Sequence, residues 1–364
     1  MHPAFTDSRE YKLMVKLVET ANPEEPNVDE FTKALTEFDS ISRLDPWATR
    51  RLNTIINSCC HEHTLNILKK LDELKRGQDL MEQAMKKRGG GGGGLFGLFG
   101  KSGKDDEAAE LFVKAANVFK MGKHWREAGD AFSKAAEAHS SKNSRHDSAS
   151  ALVDAANCYR KVNGQQAIEC LDSAIAIYTD MGRFTIAAKH HMSIAEIYET
   201  ELNDPKLASQ HYQKAADFYR GEESNASASK CEAKVAHLDA DAGDYINAAK
   251  VFEELGKAAM ENSLLKYGAK DHFFRACLCH LNIDVLNCQQ ALEKYAEMHP
   301  AFTDSREYKL MVKLVETANP EEPNVDEFTK ALTEFDSISR LDPWATRRLN
   351  TVKKALKADE PELT

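Results

Sequence analysis

A small-to-aromatic pattern recurs at nearly even intervals between Asp105 and Met260. Six copies are present: AANVF ending at Phe119, AAEAH at His139, AANCY at Tyr159, AIAIY at Tyr178, IAEIY at Tyr198 and AADFY at Tyr219. Their final residues are spaced by 20, 20, 19, 20 and 21 residues. This period holds one helix of about 14 residues and a short turn, so two periods form a helical hairpin of about 40 residues.

The same region lacks the apolar–polar alternation that is typical of strands. Alanines let neighbouring helices approach closely, and the aromatic ring fills the gap at the helix end. Turn-forming residues fall between the motifs, in KMGKHW, KVNGQQ, DMGRF, LNDPK and DAGDY. The predicted fold is therefore all-α: a tetratricopeptide-like solenoid of helical hairpins with a C-terminal helical bundle.

The chain also contains an exact internal copy, because residues Met1–Thr54 return unchanged as Met298–Thr351. Structural repeats drift in sequence, so this identity indicates a recent duplication or the joining of one exon set twice, and we favour the second explanation. Only one copy can occupy a given docking site, and the C-terminal copy has the shorter tether. We therefore predict that the first copy is peripheral and that deleting residues 1–54 leaves the unfolding midpoint nearly unchanged.

Composition excludes several classes of protein. The chain has 364 residues with 42% hydrophobic residues, and it contains no apolar run of about 18 residues that would span a membrane. The start, MHPAFTDSREYK, lacks a signal-peptide layout. Eight cysteines without paired spacing are typical of reduced core thiols in a cytosolic protein. The net charge of −10 disfavours nucleic acid as a main partner.

Motifs for catalysis are missing from the sequence. No P-loop, HExxH, GxSxG or CxxC is present, so no catalytic residue and no cofactor are predicted, and the protein is expected not to be an enzyme. The cluster CCHEH at residues 59–63 has metal-ligating residue types but the wrong spacing for a closed zinc site. Of the adjacent pair His190 and His191, one is expected to face the core and the other the solvent.

Four long stretches make the chain recognisable: IYTDMGRFTIAAKHHMSIAEIYETEL, GEESNASASKC, LLKYGAKDHFF and EFDSISRLDPW. They resemble, in the same order, the alpha/beta-type soluble NSF attachment proteins, and the resemblance runs from about Leu80 to Thr364. It implies an adaptor that binds assembled four-helix SNARE bundles of the syntaxin type. It also implies recruitment and stimulation of the hexameric AAA ATPase NSF, which takes the bundle apart during membrane fusion and intracellular transport, including transport between the ER and the Golgi.

A glycine-rich apolar stretch, GGGGGGLFGLFG, lies at residues 89–100. By resemblance it matches a family loop that makes weak contact with the membrane through Leu95, Phe96, Leu98 and Phe99. The alternative is a loop that tucks these side chains against the solenoid. The helix before the loop is predicted over Leu68 to Lys87, with an interruption at Gly77.

The resemblance also implies two charged surfaces. The basic surface, for acidic SNARE bundles, comprises Lys161, Arg183, Lys189, Lys230, Lys234, Lys270 and Arg306, whose long side chains are expected to point outward. The acidic surface, for the ATPase, comprises Asp284, Glu316, Glu321, Glu322, Asp359, Glu360 and Glu362, together with the penultimate Leu363. Pro361 departs from the family pattern within the acidic tail and stiffens it.

These interpretations predict four segments. They are an atypical extension (1–67), a first helix with the apolar loop (68–104), the solenoid (105–260) and a C-terminal bundle with an acidic tail (261–364). The expected location is cytoplasmic, with peripheral association with membranes. The alternative function is a helical-repeat scaffold that binds SNAREs or other proteins without productive coupling to the ATPase.

Overall fold

The computed structural model describes residues 63–89, 101–141, 144–262, 265–319, 321 and 323–358. Regular structure in these residues is entirely helical, which confirms the predicted fold class. The chain divides into two compact units, residues 1–177 (unit 1) and 178–364 (unit 2). The predicted turn sequences all separate consecutive helices, and Gly182 and Gly243 adopt the positive φ angles (67° and 90°) that glycine tolerates without strain.

Unit 1 is a row of antiparallel helices. They are α1 (His63–Gly89), α2 (Lys101–Met121), α3 (Trp125–Ser141), α4 (Arg145–Tyr159) and α5 (Gly164–Asp180), whose last turn passes the boundary between the units. Helix α1 packs on α2, α2 on α3 and α3 on α4. The alanines of the repeated motif lie in these contacts: Ala115, Ala116, Ala135 and Ala155 are fully buried.

The predicted interruption of the first helix at Gly77 is wrong. Helix α1 begins five residues before the predicted start and continues through Gly77 without a break. A Cβ at position 77 would lie 2.4 Å from Cε1 of Phe119, so the glycine admits the aromatic ring of α2 against the backbone of α1. Local sequence rules predict a helix break at this glycine, but in the structure it allows α1 and α2 to pack closely.

Unit 2 begins with helical hairpins and ends in a bundle. The hairpin helices are α6 (Phe184–Ile197), α7 (Pro205–Gly221), α8 (Asn225–Asp241) and α9 (Tyr245–Glu261). The bundle helices are α10 (Ala269–Ile283), α11 (Val285–Met298), α12 (Pro300–Thr303), α13 (Arg306–Thr317), α14 (Val325–Asp336) and α15 (Pro343–Ala358). A π-helical turn (Tyr198–Leu202) follows α6, and a 3-10 turn (Lys266–Gly268) precedes α10.

Helix α10 is the centre of the bundle, because it contacts α9, α11, α13 and α15. Its Phe273 is fully buried and stacks on Tyr295 of α11 with ring centroids 4.8 Å apart. Phe302, Met311 and Phe328, which come from the C-terminal copy of the duplicated segment, are also fully buried. The copy at residues 298–351 is therefore an integral part of the core of unit 2.

Candidate partner-binding site

Four of the seven predicted basic residues are exposed and make no ion pair with any residue that the structure describes. Lys189 lies on α6, Lys230 on α8, and Arg183 in the turn before α6; Lys161 lies in unit 1, in the turn between α4 and α5. Such side chains keep their charge available to a partner, because no carboxylate in the described part of the chain neutralises them.

Lys230 stands at the edge of an open groove of about 810 Å³ between α8 and the α9–α10 corner. Its lining combines apolar side chains, such as Ala233 and Leu255, with charged ones, such as Arg220 and Glu261. Sequence reasoning did not find the groove, because its lining comes from several helices, which only the folded chain brings together. Apolar lining residues beside the free charge of Lys230 suit an amphipathic helix that carries an acidic residue next to its apolar stripe.

Lys234, one helical turn after Lys230, forms an ion pair within the protein. Its Nζ donates to both carboxylate oxygens of Glu199, at 3.0 and 3.1 Å, and lies 5.7 Å from the ring centroid of Tyr212. The Tyr212 hydroxyl donates to the same carboxylate at 2.7 Å. Burial alone would raise the pKa of Glu199, but the hydrogen bonds from Tyr212 and Lys234 outweigh it and lower the pKa. Binding of a partner by Lys234 would thus compete with this cluster.

Two further basic residues contradict the expectation that the set points outward. Lys270 is half-buried and pairs with Glu307 at 3.4 Å, which links α10 to α13. Arg306 is also half-buried: its guanidinium lies 5.0 Å from the ring centroid of Phe335 and donates to the hydroxyl of Ser339. Both residues lie near acceptors that only the bundle brings to them, which local sequence does not reveal.

The described part of the acidic set lies in the bundle. Asp284 caps α11, where its carboxylate accepts from the backbone N–H of Asn287 at 2.6 Å. Glu316 is exposed in the last turn of α13, and Glu321 is exposed in the loop that follows. Helices α11 and α13 contact each other, so Asp284 and Glu316 belong to neighbouring helices. A carboxylate that caps a helix is partly engaged by backbone N–H groups, so Asp284 has less of its charge available than Glu316.

Other predicted residues lie outside the described part of the chain. They are the apolar residues Leu95, Phe96, Leu98 and Phe99, and the acidic-tail residues Glu322, Asp359, Glu360 and Glu362 with Leu363. The first copy, residues 1–54, and the cysteines of CCHEH also lie outside it.

Within the described residues, no group of three metal-ligating side chains is arranged to hold a metal ion. None of the described helices is long and apolar enough to cross a bilayer.

The expectation that one of His190 and His191 faces solvent is wrong, since both are buried. His190 stacks on Tyr178 with centroids 5.6 Å apart, and the Nδ1 of His191 lies 3.1 Å from the Nδ1 of His211. Burial lowers the pKa of His191 and of His211 to about 4. The neighbouring imidazoles of His211 and His190 lower the pKa of His191 further, and Lys214 lowers both pKa values. The pair is thus neutral and structural near pH 7.

The described cysteines agree with the predicted core thiols. All six are free, and five of them are buried: Cys158, Cys231, Cys277, Cys279 and Cys288. Burial raises the pKa of Cys158 and of Cys231 to about 11, so these thiols are protonated and unreactive near neutral pH.

A family profile described as "Soluble NSF attachment protein, SNAP" matches residues 1–59 and 75–357, which cover most of the chain. The chain belongs to the soluble NSF attachment protein family. Because residues 1–54 repeat residues 298–351, the profile recognises the same part of a family member twice. The match from residue 75 onward includes most of α1, all of α2 to α14 and nearly all of α15.

Curated SNAP proteins align over nearly their whole length. Alpha-soluble NSF attachment protein of Mus musculus is 53% identical over 284 residues, 78% of this chain and 96% of that protein. Beta-soluble NSF attachment protein of Bos taurus is 54% identical over 77% of this chain and 93% of its own length. A probable vesicular-fusion protein sec17 homolog of Schizosaccharomyces pombe is 37% identical over 78% and 98%.

A solved structure, the apo form of RapI, aligns over 96% of this chain and 98% of its own at 14% identity with a TM-score of 0.38, below the range that indicates a shared fold.

Proposed function

We propose that this protein is a non-catalytic adaptor that binds assembled SNARE bundles and brings the ATPase NSF to them for disassembly in vesicle fusion. Membership of the SNAP family supports the adaptor role, since the relatives are named as NSF attachment proteins and as a vesicular-fusion protein. We further propose a bundle of the syntaxin type, a hexameric ATPase and action at the surface of membranes in the cytoplasm.

The exposed cations of unit 2 carry the SNARE-binding proposal. Lys189 and Lys230 have no carboxylate partner among the described residues, and Lys230 lines the groove between α8 and the α9–α10 corner. Lys161 and Arg183 contribute as further free charges. Lys234, Lys270 and Arg306 contribute only when a partner replaces the internal acceptors described above, so their individual contributions are smaller.

The test is reversal of two free charges in the full chain, Lys189→Glu together with Lys230→Glu. The affinity for a soluble SNARE bundle should fall at least about 10-fold at low salt, and the difference should shrink as salt screens it. The matched control is Lys250→Glu, an exposed lysine of α9 outside the predicted set. Equal weakening by the control, or unchanged binding by the double variant, would place the SNARE surface elsewhere.

The ATPase proposal uses exposed acids of the bundle and the tail. Glu316 and Glu321 are exposed, Asp284 is a helix cap, and the remaining predicted acids lie beyond the described residues. Changing Glu316 and Glu321 to Gln should reduce stimulation of ATP hydrolysis while SNARE binding stays at its original level. If SNARE binding falls equally, these acids act through folding of the bundle rather than through contact with the ATPase.

Membrane contact is proposed for residues 95–99. Replacing Phe96 and Phe99 by Ser should slow disassembly of SNARE bundles anchored in liposomes and leave disassembly of soluble bundles unchanged. Four apolar side chains contribute at most about 6–12 kcal/mol if fully buried, and partial insertion of a glycine-tethered loop reduces this to a weak contact. Equal loss in both assays would identify the loop as structural.

The alternative is a scaffold that binds SNAREs without productive coupling to the ATPase, and Pro361 is the feature of the sequence that favours it. The chain would then bind SNARE bundles with normal affinity and fail to stimulate ATP hydrolysis. Changing Pro361 to Ala would restore stimulation if the proline is the cause. Full stimulation by the unchanged chain rejects the alternative.

A further inference from the structure

The C-terminal copy of the duplicated segment docks through α15 onto a site formed by α8 and α9. Trp344 is the central contact: its indole N–H donates to the carbonyl of His237 at 3.3 Å, and its rings meet His237 and Phe252 edge to face at 4.8 and 5.7 Å. Only 7% of Trp344 is exposed. A buried aromatic residue with a satisfied polar atom is typical of an interaction hot spot.

Arg348, one turn further along α15, completes the contact. It donates to the carbonyl of Ala240 at 2.6 Å, to the carboxylate of Asp241 at 3.0 Å and to the hydroxyl of Tyr245 at 3.2 Å. On the other side, Asp342 accepts from Arg275 of α10 at 3.0 Å. The docking site thus specifies its occupant by shape, charge and hydrogen-bond geometry rather than by apolar area alone.

Every one of these occupant residues has an identical counterpart in the first copy. Trp47 corresponds to Trp344, Arg51 to Arg348 and Asp45 to Asp342, and the residues between them are the same. The copies diverge only after Thr54: Ile55 replaces Val352, and Cys59 replaces the buried Leu356 at the end of α15. The site therefore has no means to distinguish the two copies by their docking side chains.

A competing first copy could belong to the same molecule or to a second one, and the length of chain between the first copy and α1 bears on which. Residues 55–62, the only residues between the first copy and α1, span at most about 26–29 Å. The arm therefore keeps Thr54 within about 26–29 Å of the start of α1 in unit 1, whereas the docking site belongs to unit 2. A second molecule has no such restriction on its approach.

We propose that the docking site of unit 2 accepts residues 1–54 of a second copy of this chain in place of its own residues 298–351. The protein thereby carries in its N-terminal copy an interaction segment for other molecules of itself. The exchange replaces the contacts of residues 298–351 by those of identical side chains, and only the last turns of α15, with Val352 and Leu356, lack an identical counterpart. Tethering is therefore the main factor that decides which copy is bound. This inference does not depend on SNARE or ATPase binding.

Mass action sets the expected extent of the exchange. A segment joined by a short tether has an effective concentration in the millimolar range, so at about 10 μM protein the exchanged form is about 10²- to 10³-fold less populated. Truncation of a buried Trp to Ala weakens its own contact by about 10²- to 10³-fold. The Trp344→Ala variant should therefore populate both forms to a similar extent.

The experiment measures molecular mass by light scattering from about 1 to about 100 μM protein, always with the full chain. The unchanged chain and the Trp47→Ala variant should have the monomer mass, 40.7 kDa for the unchanged chain. Trp344→Ala should form dimers and larger species as concentration rises. Trp47→Ala combined with Trp344→Ala should return to the monomer, although it exposes the same empty docking site.

The double variant is the decisive control, because nonspecific association through an exposed apolar site would be the same with or without Trp47. Equal association of the single Trp344 variant and the double variant overturns the proposal, as does a monomeric Trp344→Ala chain that is stably folded. If Trp344→Ala does not fold, Leu349→Ala with its counterpart Leu52→Ala supplies a milder pair with the same expected pattern. Phe252→Ala damages the docking site for both copies, so it should associate less than Trp344→Ala.

Discussion

The buried imidazole pair of unit 2 makes the stability of this protein depend on pH in a defined window. The pKa values of His191 and His211 fall from 6.5 to about 4 on folding because burial disfavours the charged imidazolium. The unfolded chain therefore binds more protons than the folded chain below pH 6.5. The contribution of the two neutral imidazoles to the free energy of unfolding is therefore complete above pH 6.5 and is lost as the pH falls towards 4.

The loss in the free energy of unfolding follows from the difference between the pKa values of the unfolded and the folded chain. At pH 5 each imidazole has lost about 2 kcal/mol of its contribution, and the pair about 4 kcal/mol. Between pH 6 and pH 5 the pair steepens the decline of the free energy of unfolding by up to about 2.7 kcal/mol per pH unit. This is a large fraction of the stability of an ordinary domain, about 5–15 kcal/mol.

The assay is urea unfolding of unit 2 from pH 7.5 to pH 5, followed by the fluorescence of buried Trp344. Replacing Trp47 and Trp125 by Phe leaves Trp344 as the only tryptophan of the chain. In this background, changing His191 and His211 to Leu should flatten the pH dependence by up to the slope given above. The control is His146→Gln, which removes an imidazole of unit 1 that is 63% exposed, and the double Leu variant should flatten the slope more than this control does. An unchanged slope in the double Leu variant would refute the reasoning.

Three further predictions concern packing, the Glu199 cluster and the duplicate. Gly77→Ala should lower the free energy of unfolding by about 1–3 kcal/mol in urea titrations, because the new Cβ overlaps the ring of Phe119. A variant of equal or higher stability would show that the ring has room to move. Glu199→Gln should cost about 1–3 kcal/mol in the same assay, because the charge-assisted bond from Lys234 is lost, and unaltered stability would mean that solvent replaces it. Deleting residues 1–54 should leave the thermal midpoint within about 2 °C, and a larger drop would show that the first copy stabilises the fold.

The sequence predicted the helices and their order well because its pattern is local. The signals are the period of about 20 residues, the alanines and the turn sequences. Each of them lies within one helix or one hairpin, so they predict the helices without knowledge of which helices contact each other. The candidate site was predicted only in part. Resemblance to the SNAP family supplied residue positions, but whether each lysine is free depends on acceptors far away in the chain, such as Glu199 for Lys234 and Glu307 for Lys270.

Gly77 and the two adjacent histidines illustrate the same limit. Local rules treat a glycine within a helix as a break and a His-His pair as one inward and one outward residue, whereas the ring of Phe119 and the imidazole of His211 give these positions their actual roles. Both neighbours lie in other helices, so no window of local sequence contains them.

By itself, the sequence determined the helical repeat, the family and the identity of the two 54-residue copies, since each of these is a property of residue order. Tertiary structure alone decided which charges stay available, where the groove lies and how Trp344 and Arg348 hold the C-terminal copy in place. These features depend on distances of a few ångströms between residues that are up to 108 positions apart, and such distances exist only once the helices have packed.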